Sequence, residues 1–475
     1  MCLPFVLESL KQALSVSTLS VWLLSGCAEE PNTHLQQIKH DGVLKVVTRN
    51  TPSTYYIGRD GPAGFEYDLA QLFAEYLGVE LDIQPVRTLD ELFTLVDAGE
   101  VDLAAAGLTH TTEREAKYDF GPHYHWVSEQ IVFRVNAYRP SRISDLNKGH
   151  LEVIANSSHS AHLQQLTSKH PSLNWIENNE LDSVELLELV REEIIDFTIA
   201  DSNELALHRQ YYPELSVAFK LGEPEPLAWA FKQSEDLSLQ ESAKAFFQQL
   251  ELNGDLQALL EYHYGHLQRF NYVDNRAFLR HVKQRLPRYQ ALFEQAANTP
   301  WDWRLLAAIS YQESHWNPKA RSPTGVRGLM MLTLRTAKDL GIKNRLDPKQ
   351  SIQGGAQYLQ QLAARFEHIP LPDRLWFALA SYNVGYGHVL DAQKIAASLG
   401  QDPDRWTHVK DTLPLLRRPT WYRKTRYGYA RGNEPVLYVD NIRRYYGVLQ
   451  WLTEEPGPPP PEPIQPPKLD SASSL

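Results

Sequence analysis

Near Phe270 the spacing of apolar residues changes period, and that change sets the outline of everything the chain can fold into. Before it, strand and helix patterns alternate. GVLKVVTRN (residues 42–50) is a Val-rich strand pattern behind a glycine, and GFEYDLAQLFAEYLG places Leu69, Leu72, Phe73 and Leu77 at helical spacing with Gly78 as the stop. VELDIQPV then reads as a strand, LDELFTLVDAGE as a helix and VDLAAAGL as a strand. Such alternation needs crossover connections and predicts a mainly parallel sheet. After Phe270, FLRHVKQRLPRYQALFEQAA, TPWDWRLLAAISYQE, TLRTAKDLG, SIQGGAQYLQQLAARF and RLWFALASYNVG all favour helices by period and residue type. A multidomain chain is expected: an α/β domain over residues 40–267 and a mostly α domain over residues 270–452. At 475 residues and 43% hydrophobic content there is enough apolar surface for two cores. The tail, residues 453–475, contains EEPGPPPPEPIQPP, which has too few backbone donors to fold and reads as a disordered or polyproline extension.

A net charge of -11 excludes a general nucleic-acid binder, because most of the surface would repel phosphate. The basic stretch RRPTWYRKTR (residues 417–426) reads as a solvated face. Cys2 and Cys27 both lie in the first segment, so no disulfide framework and no cysteine zinc site is expected further on; neither metal nor cofactor is called for. Cys27 ends LSVSTLSVWLLSGC, an apolar run of export-signal length followed at once by polar AEEPNTH. A buried helix with an inert thiol is the alternative. Leu24, Ser25, Gly26 and Cys27 resemble the lipobox of bacterial lipoproteins, although the preceding MCLPFVLESLKQ is only weakly basic. That resemblance implies a signal peptide over residues 1–27, lipidation of Cys27 and, with Ala28 next, anchoring at the periplasmic face of the outer membrane.

In the first half, Gly64, Phe65, Asp68 and Leu69, then Gly99, Asp102 and Leu103, then GLTHTTEREAKYDFGPHY (residues 107–124) stand in a fixed order. VIANSSHS (153–160), EIIDFTIADSNEL (193–205) and ELNGDLQALLEYHYG (251–265) continue it. This order resembles the periplasmic solute-binding proteins for amino acids and related polar solutes, which fold as a two-lobed α/β domain. A guanidinium such as Arg114 suits a carboxylate, with Thr109 adding a hydroxyl and Asp201 suiting an ammonium group. Ser157 or Ser158, opening a helix, adds amides for an anion. The resemblance implies that these positions hold the α-carboxylate and α-amino groups of an amino acid or muropeptide, with Tyr55 and Tyr56 covering its side chain. The alternative is that Arg114 and Asp201 are surface or hinge ion pairs in a domain that has lost its ligand, since Gly107 stands where many relatives carry a hydroxyl.

In the second half, Glu313 ends the helix pattern TPWDWRLLAAISYQE, whose start reads as Thr299 with Pro300 in the first turn. Leu306 and Ile309 lie seven and four residues before it and share its face. An apolar setting and a helix C-terminus both raise a carboxyl pKa, which suits a general acid. A buried Glu bonded to the loop amides explains the same pattern. ES with NPKARSPTGVRGLMMLTLRTA, then GGAQYL (354–359), ALASYNVGYGHV (378–389) and YVDNI (438–442) resemble, in order, the motifs of the lytic transglycosylases with a goose-type-lysozyme-like fold. Met331, Val326 and Leu334 depart from the commoner Gln, Ala and Pro.

That resemblance implies cleavage of peptidoglycan glycan strands with Glu313 as the single catalytic acid. Ser314 and Ser322 would orient it or bind an N-acetyl group. Met330, Tyr382 and Tyr438 would wall the cleft, Asn383 would fix its loop, and Gly325 and Gly328 would let sugar approach the backbone. A solute receptor whose second domain only binds the wall is the alternative function.

Overall fold

The computed structural model describes residues 33–58, 61–267, 272–297, 301–322 and 325–453. Cys27 with the export signal, Thr299, Pro300 and residues 454–475 of the tail lie outside the described residues.

The first half begins as its pattern predicts. Strand β1 (Val43–Arg49) is followed by helix α1 (Phe65–Leu77), strand β2 (Glu80–Val86), helix α2 (Leu89–Ala98) and strand β3 (Leu103–Ala104). Gly78 and Gly99 end the two helices in the left-handed conformation, and Thr88 with Glu91 forms a capping box at the start of α2. β1 pairs in parallel with β2 and β3, Val46 facing both Ile83 and Leu103. Beyond β3 the sheet turns antiparallel, through Ala230–Lys232 and then Tyr118–Phe120. β3 itself has two residues where the pattern VDLAAAGL suggested a longer strand.

A second lobe holds strands β4 (His125–Arg134), β5 (Phe197–Asp201) and β6 (Leu215–Leu227), with helix α3 (Ser158–Leu166) before β5 and helix α4 (Ser202–Tyr211) after it. β5 and β6 flank β4 in antiparallel pairing, while Glu152–Ile154 and Ile176–Asn178 pair in parallel beside them, so the expectation of a mainly parallel sheet holds for the leading strands and this short pair but not for the three-stranded sheet. The chain passes between lobes along β4 and β6, and the carboxyl end of β5 delivers Asp201 to the boundary. α5 (Asp255–Tyr264) closes this half against α1.

After α5 the described residues form helices and no named strand. α6 (Tyr272–Gln284), α7 (Trp303–Ser314), α8 (Pro348–Ala364), α9 (Asp373–Val384), α10 (Tyr386–Ser398) and α11 (Asn433–Thr453) share one apolar core. α7 begins at Trp303, N-capped by the Asp302 carboxylate accepting from the Arg304 N–H at 3.0 Å, rather than at the Thr299 and Pro300 suggested by the sequence. α7 and α9 both pack on α11, and α7 is buried nearly all round, with Leu305, Leu306, Ala308 and Ile309 in the core. A helix so enclosed can hold a side chain at its end to a narrow set of positions.

The halves meet through a buried charge cluster. Glu261 of α5 accepts from Arg443 Nη1 at 2.9 Å and Lys410 Nζ at 2.5 Å, while Arg443 Nη2 donates to the carbonyls of Glu261 and Tyr262 at 2.6 and 2.8 Å. Arg405 adds a 2.5 Å bond to Asp255. At the other end of α11, Trp451 packs on Tyr211 and Tyr212 of the second lobe, with ring centroids 4.8 and 5.7 Å apart.

Candidate functional site

Glu313 is the penultimate residue of α7, which His315 terminates in the left-handed conformation. The side chain is half-buried, and the Tyr438 hydroxyl donates to its Oε1 at 2.6 Å. Burial raises the carboxyl from 4.5 to about 7, against the lowering effect of the Tyr438 hydrogen bond. No second carboxylate among the described residues bonds to this acid or charges it. Near neutral pH, Glu313 is therefore poised to give up a proton and to take one back.

Around it, α7 is stitched to the following loop. Ser310 and Ser314 both donate to the Leu329 carbonyl, at 3.1 and 2.8 Å, and Ser314 also donates to the Ser310 carbonyl at 3.0 Å. The Met330 N–H donates to Ser351 Oγ at 3.1 Å, and the Tyr382 hydroxyl donates to the Met330 carbonyl at 2.9 Å. The Tyr382 ring lies 6.4 Å from Tyr438 and 5.1 Å from Tyr358, so tyrosines form one wall beside the acid.

Several expectations change. Ser314 spends its hydroxyl on backbone carbonyls and positions the loop instead of the acid. Met330 is fully buried with its side chain in a notch at Gly355, so its carbonyl rather than its thioether faces the tyrosine wall. Ser322 closes a turn, its N–H donating to the Val326 carbonyl at 3.1 Å and its carbonyl accepting from Gly325 at 3.0 Å. Asn383 is exposed at the end of α9 and makes no side-chain hydrogen bond to the described residues, so it does not fix the loop. Gly328, with φ of 87°, admits the Arg345 carbonyl where a Cβ would collide; its close approach is to protein backbone, not to sugar. Ser310, Ser351 and Tyr358 received no role from the sequence, although Ser310 lies in the helix pattern that ends at Glu313, Tyr358 inside GGAQYL and Ser351 three residues ahead of it.

The second site lies where the lobes of the first half meet. Arg114 Nη1 donates to the Thr109 carbonyl at 3.0 Å and Nη2 to the Asn156 carbonyl at 3.4 Å, and Ser158 Oγ donates to Thr109 Oγ1 at 3.4 Å. Thr109, Arg114 and Ser158 are thus brought together, while burial and the nearby Arg49 lower the Arg114 guanidinium to about 10. Asp201 is already engaged. His159 Nε2 lies 3.2 Å from its Oδ1; burial would lower His159, but the Asp201 charge outweighs it and holds the imidazole at about 9. Arg49 Nη2 spans from β1 to Glu204 of α4 at 2.8 Å. Tyr55 is buried edge-on to Tyr67 at 5.9 Å, whereas Tyr56 is exposed.

Gly107 explains part of this arrangement. With φ of 61°, it donates its N–H to Glu66 Oε1 at 2.9 Å, and a Cβ there would touch Arg49 Nη2 at 3.4 Å. A larger residue would crowd the guanidinium that joins the lobes. Glu66 itself is buried under the Tyr124 hydroxyl and the Trp229 indole, and burial raises its pKa. Arg49, His159 and Glu204 stand inside the quoted stretches GVLKVVTRN, VIANSSHS and EIIDFTIADSNEL, but nothing in those stretches singled them out from their neighbours.

Comparison with known proteins agrees with both halves. The family model for bacterial extracellular solute-binding proteins, family 3, matches residues 44–266, and that for the transglycosylase SLT domain matches residues 290–404. Membrane-bound lytic murein transglycosylase F 1 of Alkalilimnicola ehrlichii is 53% identical over 428 residues, covering 90% of this chain and 87% of its own. Membrane-bound lytic murein transglycosylase F of Pseudoalteromonas translucida is 48% identical over 447 residues, covering 94% of this chain and 95% of its own. Among solved structures, a mutant ArgBP from T. maritima matches 49% of this chain and 99% of its own at a TM-score of 0.44 and 24% identity. With a solute-binding-protein-like domain ahead of a helical SLT domain and this identity along nearly its whole length, the chain belongs to the membrane-bound lytic murein transglycosylase F family.

Proposed function

We propose that Glu313 carries the whole proton traffic of a lytic cleavage of murein. The chain is a lytic murein transglycosylase with a solute-binding-protein-like domain in front. The observation that carries the reading is a carboxyl with no second carboxylate bonded to it among the described residues, raised to about 7 by burial and held at 2.6 Å by the Tyr438 hydroxyl. Hydrolytic glycosidases commonly pair an acid with a second carboxylate. Here the nucleophile comes from the substrate instead. Glu313 protonates the oxygen that links N-acetylmuramic acid to N-acetylglucosamine, and the bond to muramoyl C1 breaks. The muramoyl C6 hydroxyl then closes on C1 and returns its proton to the Glu313 carboxylate. The product is a 1,6-anhydro sugar, no water is consumed and the enzyme ends as it began. Tyr438 steadies the ionised carboxylate between the two transfers, Tyr382 fixes the Met330 carbonyl beside it, and exposed Asn383 is free to meet the glycan. In water enriched with heavy oxygen, this route leaves the cleaved ends unlabelled; label at C1 means hydrolysis.

The first domain is assigned a zwitterionic ligand, an amino acid or a murein peptide, on the convergence of Thr109, Arg114 and Ser158. Its carboxylate would take the Arg114 donors now spent on the Thr109 and Asn156 carbonyls. Its ammonium group would compete with His159 for Asp201. Titration calorimetry with amino acids and tetrapeptides tests this, and heat that survives Arg114→Met counts against it. Attachment to the outer membrane is assigned to a lipid on Cys27; among the described residues no helix is long and apolar enough to cross a membrane. Release of the protein from membranes by Cys27→Ala is the expected result, and retention would refute the anchor.

A further inference from the structure

Between Thr412 and Asn433, a chain of net charge -11 carries Arg417, Arg418, Arg423, Lys424, Arg426 and Arg431 and no acidic residue. All six cations are exposed. Arg431 is paired with Glu434 at 3.2 Å, whereas Arg417, Arg418, Arg423 and Lys424 hold no side-chain hydrogen bond or ion pair among the described residues. Exposed cations are ordinarily just solvated, but three observations set this group apart.

The segment has a fixed backbone. The N–H groups of Arg426 and Tyr427 donate to the fully buried Asp391 carboxylate of α10 at 3.1 and 2.7 Å, and the Ala430 N–H donates to the Leu416 carbonyl at 3.2 Å. Its cations are interleaved with rings, Tyr422 and Tyr429 standing edge to face at 5.7 Å. It also frames an open pocket of about 490 Å³ lined by Pro414, Arg417, Arg418, Tyr429 and Asn433.

One residue of the pocket's rim shares a helix with the residue that holds the acid. Asn433 is the first residue of α11, and Tyr438, which holds Glu313, is five residues along the same helix, a rise of about 7.5 Å. The buried Asp391 that anchors the segment belongs to α10, which is separated by Gly385 alone from the end of α9, where Tyr382 and Asn383 lie. A glycan strand that leaves Glu313 along α11 toward Asn433 would meet this ledge.

Resting on the lytic reading above, we propose that the ledge from Pro414 to Asn433 is a substrate subsite that binds the carboxylates of the stem peptides carried by murein. Guanidinium forks take carboxylates with two parallel hydrogen bonds, and arginines interleaved with rings offer stacking to the peptide as well. The subsite makes the enzyme prefer peptide-bearing over peptide-free glycan.

The full-length chain and its Arg417→Gln/Arg418→Gln variant are assayed on peptide-bearing glycan and on glycan stripped of peptides by an amidase. The ratio of kcat/KM for the two substrates is the readout, and the variant lowers it about tenfold, the equivalent of about 1.4 kcal/mol. Arg417→Lys/Arg418→Lys restores part of the ratio, because the charge remains but the fork is lost. Should the Gln variant fold poorly, the wild type suffices: amidating the stem carboxylates lowers its kcat/KM on that glycan by about the same factor. An unchanged ratio in the variant, or indifference of the wild type to amidation, overturns the subsite while leaving the lytic reading intact. A wild type that cleaves neither glycan overturns the lytic reading itself.

Discussion

Replacing Glu313 by Gln abolishes cleavage and, less obviously, stabilises the fold above neutral pH. Burial raises the carboxyl from 4.5 to about 7. Between those values the folded chain holds a proton that the unfolded chain has released, so raising the pH through this window disfavours folding, and the loss levels off above the folded pKa. Worked through linkage, a shift of that size costs about 3 kcal/mol between pH 4 and pH 8. Solvent at the half-buried side chain screens part of this, and about 2 kcal/mol remains. Gln keeps the shape, accepts the Tyr438 hydroxyl bond and cannot ionise. Its advantage over the wild type is therefore near zero at pH 4 and about 2 kcal/mol at pH 8. For a helical domain of this size that is roughly 4–8 °C in Tm. Scanning calorimetry of both proteins at pH 4, 6 and 8 measures it, and taking the difference at each pH cancels every other titrating group. A variant advantage that does not grow with pH, or a variant less stable than the wild type at pH 8, refutes the claim that burial sets this acid's proton affinity.

Three further outcomes follow from the same contacts. Tyr438→Phe removes the one hydrogen bond that lowers the Glu313 pKa, so the pH at which kcat falls on the alkaline side moves up by about one unit in a pH–rate profile. Ser314→Ala withdraws one of two hydroxyls from the Leu329 carbonyl and costs about 1 kcal/mol, read as a small drop in the urea midpoint without change in slope. Arg443→Ala strands Glu261 between the halves with Lys410 alone, costs roughly 3–5 kcal/mol, and splits the calorimetric transition in two.

What the sequence disclosed and what it withheld divide along physical lines. Helices and leading strands were legible because amphipathic period and glycine stops are local; Gly78 and Gly99 end helices where the pattern stops. The three-stranded antiparallel sheet of the second lobe was not, because pairing partners such as Thr198 and Val132 lie far apart in the chain and leave no periodic trace. Glu313 and Tyr438 stood out as motif positions, yet their 2.6 Å contact joins residues 125 apart. Asp201 shows what residue type alone leaves out. Its residue type suggested a partner for an ammonium group, and folding adds His159 beside it, which no local pattern disclosed. Met330 and Gly328 look like cleft residues by motif, but packing density gives them other work, one filling the notch at Gly355 and the other making room for the Arg345 carbonyl.

The central claim, one carboxyl and no water, is tested most directly by mass analysis of the products released from purified murein by the wild type and by Glu313→Gln. The account predicts anhydromuramoyl products, lighter by one water than their hydrolytic counterparts, from the wild type alone. Reducing-end products from the wild type, or anhydro products from both proteins, would contradict it.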